Sequence, residues 1–337
     1  QTGGVIVAGR RQKKSGRRSY AWRYRGRIVA CVFVEVIIIC ALVIMIGWNK
    51  GVKEWFEQFE QPVLKEVDIS GINSPNAILM QVRGGKILGE INGEAQIYPA
   101  SMTKIMTVIL GIENFDDLDE KITLTNEMFS GLYEQDATQA GFQPGEEVRV
   151  IDLLYGAMLP SGAECCIALA DTISGSEADF AELMNKKARK LGMENTHFCD
   201  STGLHNPDHY STVKDIAVLM KYCIKNDTFR EIVETSRHST GVTNIHPDGI
   251  TYYSTMFKNL SDPTVTGGKI LGGKTGYTSE AGHCLVSFAE IEGREYIFVS
   301  AGASGADGNT IPHIQDAVTV YNRVGAAIEA KMNDNNK

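Results

Sequence analysis

The sequence predicts an α/β body of the α+β kind, in which one sheet is assembled from both ends of the body and a helical insertion lies between. Short apolar runs separated by glycine turns occur at residues 77–91 and again at 283–300. The stretch between them carries mainly apolar residues at helical spacing. In addition, residues 28–48 form an apolar stretch broken only by Glu35, which predicts one N-terminal transmembrane helix.

The individual elements follow from these patterns. A hairpin is predicted from Ala77–Val82 and Ile87–Ile91, and two further strands from His283–Glu290 and Tyr296–Ser300. A last helix is expected to pack back on the sheet. The predicted helices are Ile151–Leu159, Ala178–Leu191, Thr212–Lys225 and Ile311–Met332.

The N-terminal part is predicted to be a single-pass membrane anchor. We divide the chain into a basic tail at residues 1–27, the anchor at 28–48, a spacer at 49–72 and the folded body at 73–332. The nine basic residues of the tail favour a cytoplasmic N-terminus and an extracytoplasmic body. A cleaved signal peptide is the alternative, but its apolar core would be shorter, and Gly47-Trp48-Asn49-Lys50 lacks the small residues of a cleavage site.

Charge and cysteine content narrow the choice of partners. Removing the nine basic residues of the tail leaves 24 basic against 41 acidic residues, a net charge of about -17. A body this acidic disfavours nucleic acid as a partner. The seven cysteines include no C-x-x-C pair, which indicates buried thiols rather than a disulfide framework or a zinc cage. We expect no metal and no cofactor.

A serine and a lysine at S-x-x-K spacing provide the candidate nucleophile and base. Ser101 and Lys104 would share one face of a helix that continues through the apolar residues 105–110 and is therefore buried. A desolvated lysine loses proton affinity, which a general base near neutral pH requires. The pattern alone is weak, because it recurs at Ser211-Thr212-Val213-Lys214. There Thr212 and Asp215 instead predict a capping box.

Two further segments supply polar groups for the same chemistry. Lys274, in Lys274-Thr275-Gly276, offers a positive charge that can bind a terminal carboxylate and keep Lys104 neutral by like-charge repulsion, while Thr275 can donate to that carboxylate. A glycine-rich turn is the alternative interpretation of this segment. Ser161 either relays a proton to a leaving amine or simply caps a helix.

In this order, the three motifs resemble those of the serine penicillin-recognising enzymes, and more narrowly the D-alanyl-D-alanine carboxypeptidase family of low-molecular-weight penicillin-binding proteins. The resemblance covers about residues 73–330. Its segments are Tyr98 to Lys104, Asp152 to Gly156 ahead of Ser161-Gly162, Ser201 to Leu204 with His209 to Thr212, and Gly273 to Thr278 with Ala281-Gly282.

The resemblance implies a three-layer fold, with an antiparallel sheet flanked by helices and an all-helical lobe closing the site. It also implies that Ser101 attacks the bond between two D-alanines, with Lys104 as base and Ser161 as proton shuttle. Lys274, Thr275, Gly276 and Tyr277 would bind substrate, with the backbone N–H groups of Ser101 and Tyr277 as oxyanion hole. The implied partners are peptidoglycan stem peptides ending in D-Ala-D-Ala, with β-lactams as inhibitors.

One departure from the family pattern bears on turnover. Ala163 stands where the second motif usually has Asn, and alanine cannot hydrogen-bond substrate or brace Lys104. We expect Glu164 to be a poor replacement, because its side chain points about 100° away along a helix. A catalytically weak penicillin-binding or peptidoglycan-sensing protein of the same fold is therefore the alternative function. A β-lactamase is disfavoured because no E-x-x-L-N segment is evident.

Overall fold

The computed structural model describes Val36, Ile37 and Ile39 together with residues 64–260, 262–305 and 311–335. The chain divides into two units, Gln1–Gln61 and Pro62–Lys337, and we call the second unit the body. The three described residues of the first unit are helical, and the rest of the anchor predicted at residues 28–48 lies outside the described residues. Within the described part of the chain, no helix is both long and apolar enough to cross a bilayer.

A six-stranded antiparallel sheet forms the centre of the body, in the order β2-β1-β10-β9-β8-β7. Strands from the two ends of the body meet where β1 pairs with β10, which confirms the predicted assembly. The strands are β1 Asn76–Gln81, β2 Lys86–Ile91, β3 Lys121–Thr123, β4 Glu147–Arg149, β5 Arg237–Ser239, β6 Thr251–Tyr253, β7 Thr264–Val265, β8 Gly268–Thr278, β9 Gly282–Ile291 and β10 Arg294–Ala303.

The four helices predicted at residues 151–159, 178–191, 212–225 and 311–332 are present, and each end lies within three residues of the prediction. The α-helices of the described part of the body are α1 Lys104–Asn114, α2 Val150–Met158, α3 Ala163–Ser174, α4 Glu177–Leu191, α5 Val213–Cys223, α6 Asp227–Glu234, α7 Thr255–Asn259 and α8 Pro312–Asn335.

Hydrophobic cores cover both faces of the sheet. Successive strand residues point to opposite faces, so Ile78 and Val299 belong to the larger core beneath α1, α2, α3 and α5, whereas Leu79 and Phe298 belong to the core beneath α8. The sheet is thus a layer between helices, as the resemblance implies.

Two features differ from the prediction. The helical insertion contains the two-stranded sheets β3-β4 and β5-β6, so the lobe is not entirely helical. Residues 64–72, assigned above to the spacer, place Leu64, Val67 and Ile69 in the core beneath α8, each at most 5% exposed. The packed body therefore begins before residue 73.

Candidate active site

Ser101 lies in a turn of 3-10 helix, Ala100–Thr103, that leads directly into α1. Lys104 is the first residue of α1, and its Nζ donates a hydrogen bond of 2.9 Å to Ser101 Oγ. The contact that the S-x-x-K spacing predicts is therefore present. The helix itself begins later than predicted, because the backbone around Ser101 adopts the tighter turn.

Lys104 is almost completely buried at the base of this turn, with 3% of its surface exposed. Its Nζ also donates to the carbonyl oxygen of Thr202 at 2.7 Å. Burial lowers the pKa of the Lys104 amine, and the neighbouring carboxylates of Asp200 and Glu164 act in the opposite direction. A neutral amine in contact with a serine hydroxyl is the arrangement that general-base activation requires.

Strand β8 places the K-T-G segment against the Ser101 turn. A Cβ atom added to Gly276 would lie 3.0 Å from Ser101 N and 3.1 Å from Ala100 Cβ, so the absence of a side chain allows the close approach. Lys274 is 1% exposed and its Nζ donates to Thr275 O at 2.9 Å. Because this segment is a buried strand, its interpretation as a glycine-rich turn is wrong.

The two buried lysines influence each other differently from the expectation. Burial is the main cause of the lowered pKa of Lys104, rather than repulsion from Lys274. Lys274 has a pKa well below its usual value, mainly because of burial and then because of the charge of Lys104. The site therefore cannot readily hold both amines protonated until an anion compensates their charge.

Thr255 links β8 to the segment that carries Ser161, a connection that the sequence analysis did not identify. Its hydroxyl shares a hydrogen bond of 2.7 Å with the hydroxyl of Thr275, and its backbone N–H donates to Leu159 O at 3.1 Å. Leu159 is two residues before Ser161, so one residue of α7 holds two of the three motifs in a fixed relation.

Ser161 has a strained backbone and an unengaged hydroxyl. Its φ of 73° lies in the left-handed region, which costs a non-glycine residue about 1–3 kcal/mol. Its Oγ is buried and has no hydrogen-bond partner among the described residues. The N-cap of α3 is Gly162, which makes no side-chain cap bond, so the interpretation of Ser161 as a helix cap is wrong.

Ala163 and Glu164 open α3, and their side chains are buried. Glu164 Oε1 accepts hydrogen bonds from the backbone N–H groups of Ala140 at 2.6 Å and Gly141 at 2.9 Å. Ala163 N in turn donates to Thr138 O at 2.8 Å. Glu164 thus connects the loop of residues 138–141 to the start of α3 by hydrogen bonds. The sequence did not predict this role.

The second S-x-x-K pattern supplies the predicted helix cap but not the reciprocal bond of a capping box, because the Asp215 carboxylate accepts instead from Asn195 N and Thr196 Oγ1. Thr212 caps α5, because its hydroxyl accepts from Asp215 N at 3.0 Å. Ser211 Oγ is bonded to Thr196 Oγ1 at 2.8 Å, and Lys214 forms an ion pair with Glu94. Ser211 and Lys214 thus have different partners, and no Ser–Lys contact forms.

The cysteines and histidines that the structure describes form no metal-ligand set. Four thiols are buried as expected and Cys199 is partly exposed; none of these five is in a disulfide. His205 and His209 are four residues apart, but His205 packs against Tyr98 whereas His209 bonds Thr103. Within the described residues, no group of three or more potential ligands is arranged to hold a metal ion.

The sheet between helices, the Ser101–Lys104 pair and the adjoining K-T-G strand define the class of protein, a Ser–Lys serine peptidase scaffold. The chain belongs to the D-alanyl-D-alanine carboxypeptidase family, whose model matches residues 63–305.

Individual relatives agree with this assignment. The chain is 35% identical to the D-alanyl-D-alanine carboxypeptidase DacF of Bacillus subtilis, over 68% of this chain and 57% of the relative. It is also 35% identical to the D-alanyl-D-alanine carboxypeptidase of Streptomyces sp. strain K15, over 68% of this chain and 78% of the relative. It is 33% identical to DacC of Escherichia coli, over 70% of this chain and 58% of that protein. The chain thus spans less than two thirds of the length of DacF and DacC.

Solved structures show the same fold. The crystal structure of the Streptomyces K15 DD-transpeptidase superimposes with a TM-score of 0.68 at 29% identity, covering 77% of this chain and all of that chain (100%). A D-alanyl-D-alanine carboxypeptidase from Mycobacterium tuberculosis matches with a TM-score of 0.68 at 22% identity, covering 77% and 94%, and supports the fold alone.

Proposed function

We propose that this chain is a serine-type D-alanyl-D-alanine carboxypeptidase that removes the terminal D-alanine from peptidoglycan stem peptides. The hydrogen bond between Lys104 Nζ and Ser101 Oγ, in a site where burial favours the neutral amine, carries the proposal. The family and its relatives, whose names specify this activity, support the choice of substrate.

The reaction proceeds through an acyl-enzyme. Ser101 Oγ attacks the carbonyl carbon between the two D-alanines while its proton passes to Lys104, and the backbone N–H groups of Ser101 and Tyr277 stabilise the oxyanion. The C–N bond then breaks, and the leaving amine takes a proton delivered through Ser161. Water attacks the ester in the second half-reaction, which releases the shortened peptide and restores the hydroxyl of Ser101.

The edge of β8 offers a binding track for the peptide backbone. Among the described strands, β7 pairs only with Gly268 and Lys269, so the half of β8 that carries the K-T-G segment has an open edge. An extended peptide can add to such an edge as a further strand. With its terminal carboxylate at Lys274 and Thr275 and its upstream residues toward Thr278, the substrate would run antiparallel to β8.

D-alanine release from a stem pentapeptide tests this function directly. We expect steady release by the wild-type chain and none by Ser101→Ala, while Ser211→Ala serves as the matched control and retains activity. Stoichiometric labelling of Ser101 by penicillin without turnover of the pentapeptide would instead favour a weak penicillin-binding or sensing protein, the function that Ala163 makes the main alternative.

We also propose that residues 28–48 anchor the chain in the cell membrane, with the basic tail in the cytoplasm and the body outside. The apolar stretch and the nine preceding basic residues support this topology. It would bring the body to the compartment that contains peptidoglycan. Flotation of the full chain with neutral vesicles tests the anchor independently of catalysis.

A further inference from the structure

The amine of Lys104 has two hydrogen-bond partners among the described residues, Ser101 Oγ and Thr202 O. A carbonyl oxygen can only accept, so one N–H of the amine is committed to Thr202. At the observed separation of 2.9 Å, the neutral amine can take the proton of Ser101 only when it accepts from the hydroxyl, so its one lone pair must then face Ser101 Oγ. The position of the Thr202 carbonyl therefore sets the direction of the base.

One carboxylate oxygen holds the Thr202 backbone in place. Asp200 Oδ1 accepts from Thr202 N at 2.7 Å, from Thr202 Oγ1 at 2.8 Å and from Gly203 N at 2.6 Å. Gly203 has a φ of 80°, and a Cβ atom there would lie 1.9 Å from Ala100 O. The backbone at Gly203 thus packs directly against the turn that carries Ser101.

The second oxygen of the same carboxylate reaches the turn by another route. Asp200 Oδ2 lies 3.1 Å from His209 Nδ1, and His209 Nε2 lies 2.8 Å from Thr103 Oγ1. Thr103 immediately precedes Lys104, and both Thr103 and His209 are at most 2% exposed. Asp200 is therefore connected to the Ser101–Lys104 segment both at the side chain of Thr103 and, through the Thr202 carbonyl, at the amine of Lys104.

We propose that Asp200 is a positioning residue, which fixes the amine of Lys104 toward Ser101 through the Thr202 carbonyl. The inference rests on the proposed function and adds a residue to which the sequence motifs assign no role. It also accounts for Ala163, since a chain without the asparagine that could brace Lys104 depends more heavily on the Thr202 carbonyl.

The charge state of Asp200 suits this role. Burial raises the pKa of its carboxyl group, but the hydrogen bond and charge of His209, with bonds from Thr202 and Gly203, outweigh burial and hold the pKa at about 2. The carboxylate is therefore ionised throughout the pH range in which a lysine base works. The charged or titratable groups that face Lys104 are Asp200 in the loop, Glu164, Cys165 and Cys166 on α3, and Lys274 on β8.

The test compares Asp200→Asn and Asp200→Ala with the wild-type full chain. Stopped-flow acylation by one penicillin separates the non-covalent dissociation constant from the acylation rate constant. We expect the rate constant to fall about tenfold in Asp200→Asn and about a hundredfold in Asp200→Ala, the range that misplacement of a catalytic group produces, with the dissociation constant changed less than about threefold. Asp208→Asn, which removes an exposed carboxylate eight residues away, is the matched control and should react like the wild type.

A pH profile distinguishes positioning from loss of folding. Asp200 favours the protonated amine, so Asp200→Asn should shift the acid limb of the acylation profile to lower pH. A merely structural role would weaken binding and acylation together and leave this limb in place. An NMR titration of the Lys104 amine in the unliganded protein should show the same downward shift and requires no catalysis.

Equal acylation rate constants in the wild type and in folded Asp200→Asn, with an unmoved acid limb, would overturn the inference and leave the proposed function intact. Failure of the wild-type chain to acylate at Ser101 would instead refute the proposed function. If Asp200→Ala does not fold, the rate, profile and NMR shift of Asp200→Asn decide the question.

Discussion

Glu164 should be a principal determinant of stability near the active site, although it belongs to none of the three motifs. Replacing it with alanine removes the acceptor for the N–H groups of Ala140 and Gly141. Hydrogen bonds to a charged group contribute about 1.5–3 kcal/mol each, and burial of the carboxylate offsets part of the sum. We therefore expect Glu164→Ala to lower the free energy of unfolding by about 2–4 kcal/mol.

Calorimetry of the full chain measures this loss. At about 3 °C per kcal/mol for a body of this size, the unfolding temperature should fall by about 6–12 °C. Glu182→Ala, which removes an exposed carboxylate from α4, is the control and should stay within about 0.5 kcal/mol of the wild type. Hydrogen exchange at Ala140 and Gly141 should accelerate only in the Glu164 variant.

Glu164→Gln separates hydrogen bonding from charge, because its Oε1 can still accept from both N–H groups. Burial raises the pKa of Glu164 above its usual 4.5, so the folded state binds the proton more tightly than the unfolded state. The carboxyl group therefore stabilises the fold most below pH 4.5, and this contribution is lost as pH rises through the raised folded-state pKa. The stability advantage of the wild type over Glu164→Gln should accordingly be larger at pH 4 than at pH 8. A Glu164→Ala variant as stable as the wild type, or an advantage that grows with pH, would refute this reasoning.

Further outcomes follow from the site and the sequence. Ser101→Ala should abolish labelling by a fluorescent penicillin while Ser211→Ala keeps it, and the opposite pattern would transfer the nucleophile to the second S-x-x-K segment. Ala163→Asn should raise the acylation rate constant about fivefold to a hundredfold, which corresponds to about 1–3 kcal/mol in the transition state, and an unchanged rate in a folded variant would contradict this. Gly203→Ala should prevent normal folding, because its Cβ would collide with Ala100 O, and native-like circular dichroism and unfolding temperature would argue against this. Protease added to intact cells should remove the body, whereas protection until the membrane is opened would rule out the proposed topology.

Sequence patterns predict an element well when the element is long enough to show the spacing of its apolar residues several times. Strands β9 and β10 each have ten residues, and α4 has fifteen, so alternation or helical spacing is clear in each. Strands β3 to β6 have three residues each, too few to show any alternation, and they were missed. Leu64, Val67 and Ile69 were assigned to a spacer because their polar neighbours dominate the local composition.

The candidate site divides in a similar way. Ser101 and Lys104 contact each other across three residues of chain, so local geometry suffices to pair them. The contact between Lys104 and Thr202 spans 98 residues, and that between Thr255 and Thr275 joins a helix to a strand. No periodicity encodes such contacts. The only sequence signal was the Ser201 to Leu204 segment, which the resemblance singled out without a role.

The pairing of β1 with β10 has a consequence for when the protein can act. Leu79 lies opposite Phe298, so the sheet that supports Ser101 cannot close until more than 200 further residues have been synthesised. Contacts this distant in sequence form slowly. A nascent chain that carries Ser101 but lacks β8 to β10 also lacks Lys274 and the rest of the K-T-G segment. The candidate site is therefore completed only when the last strands of the sheet have been synthesised.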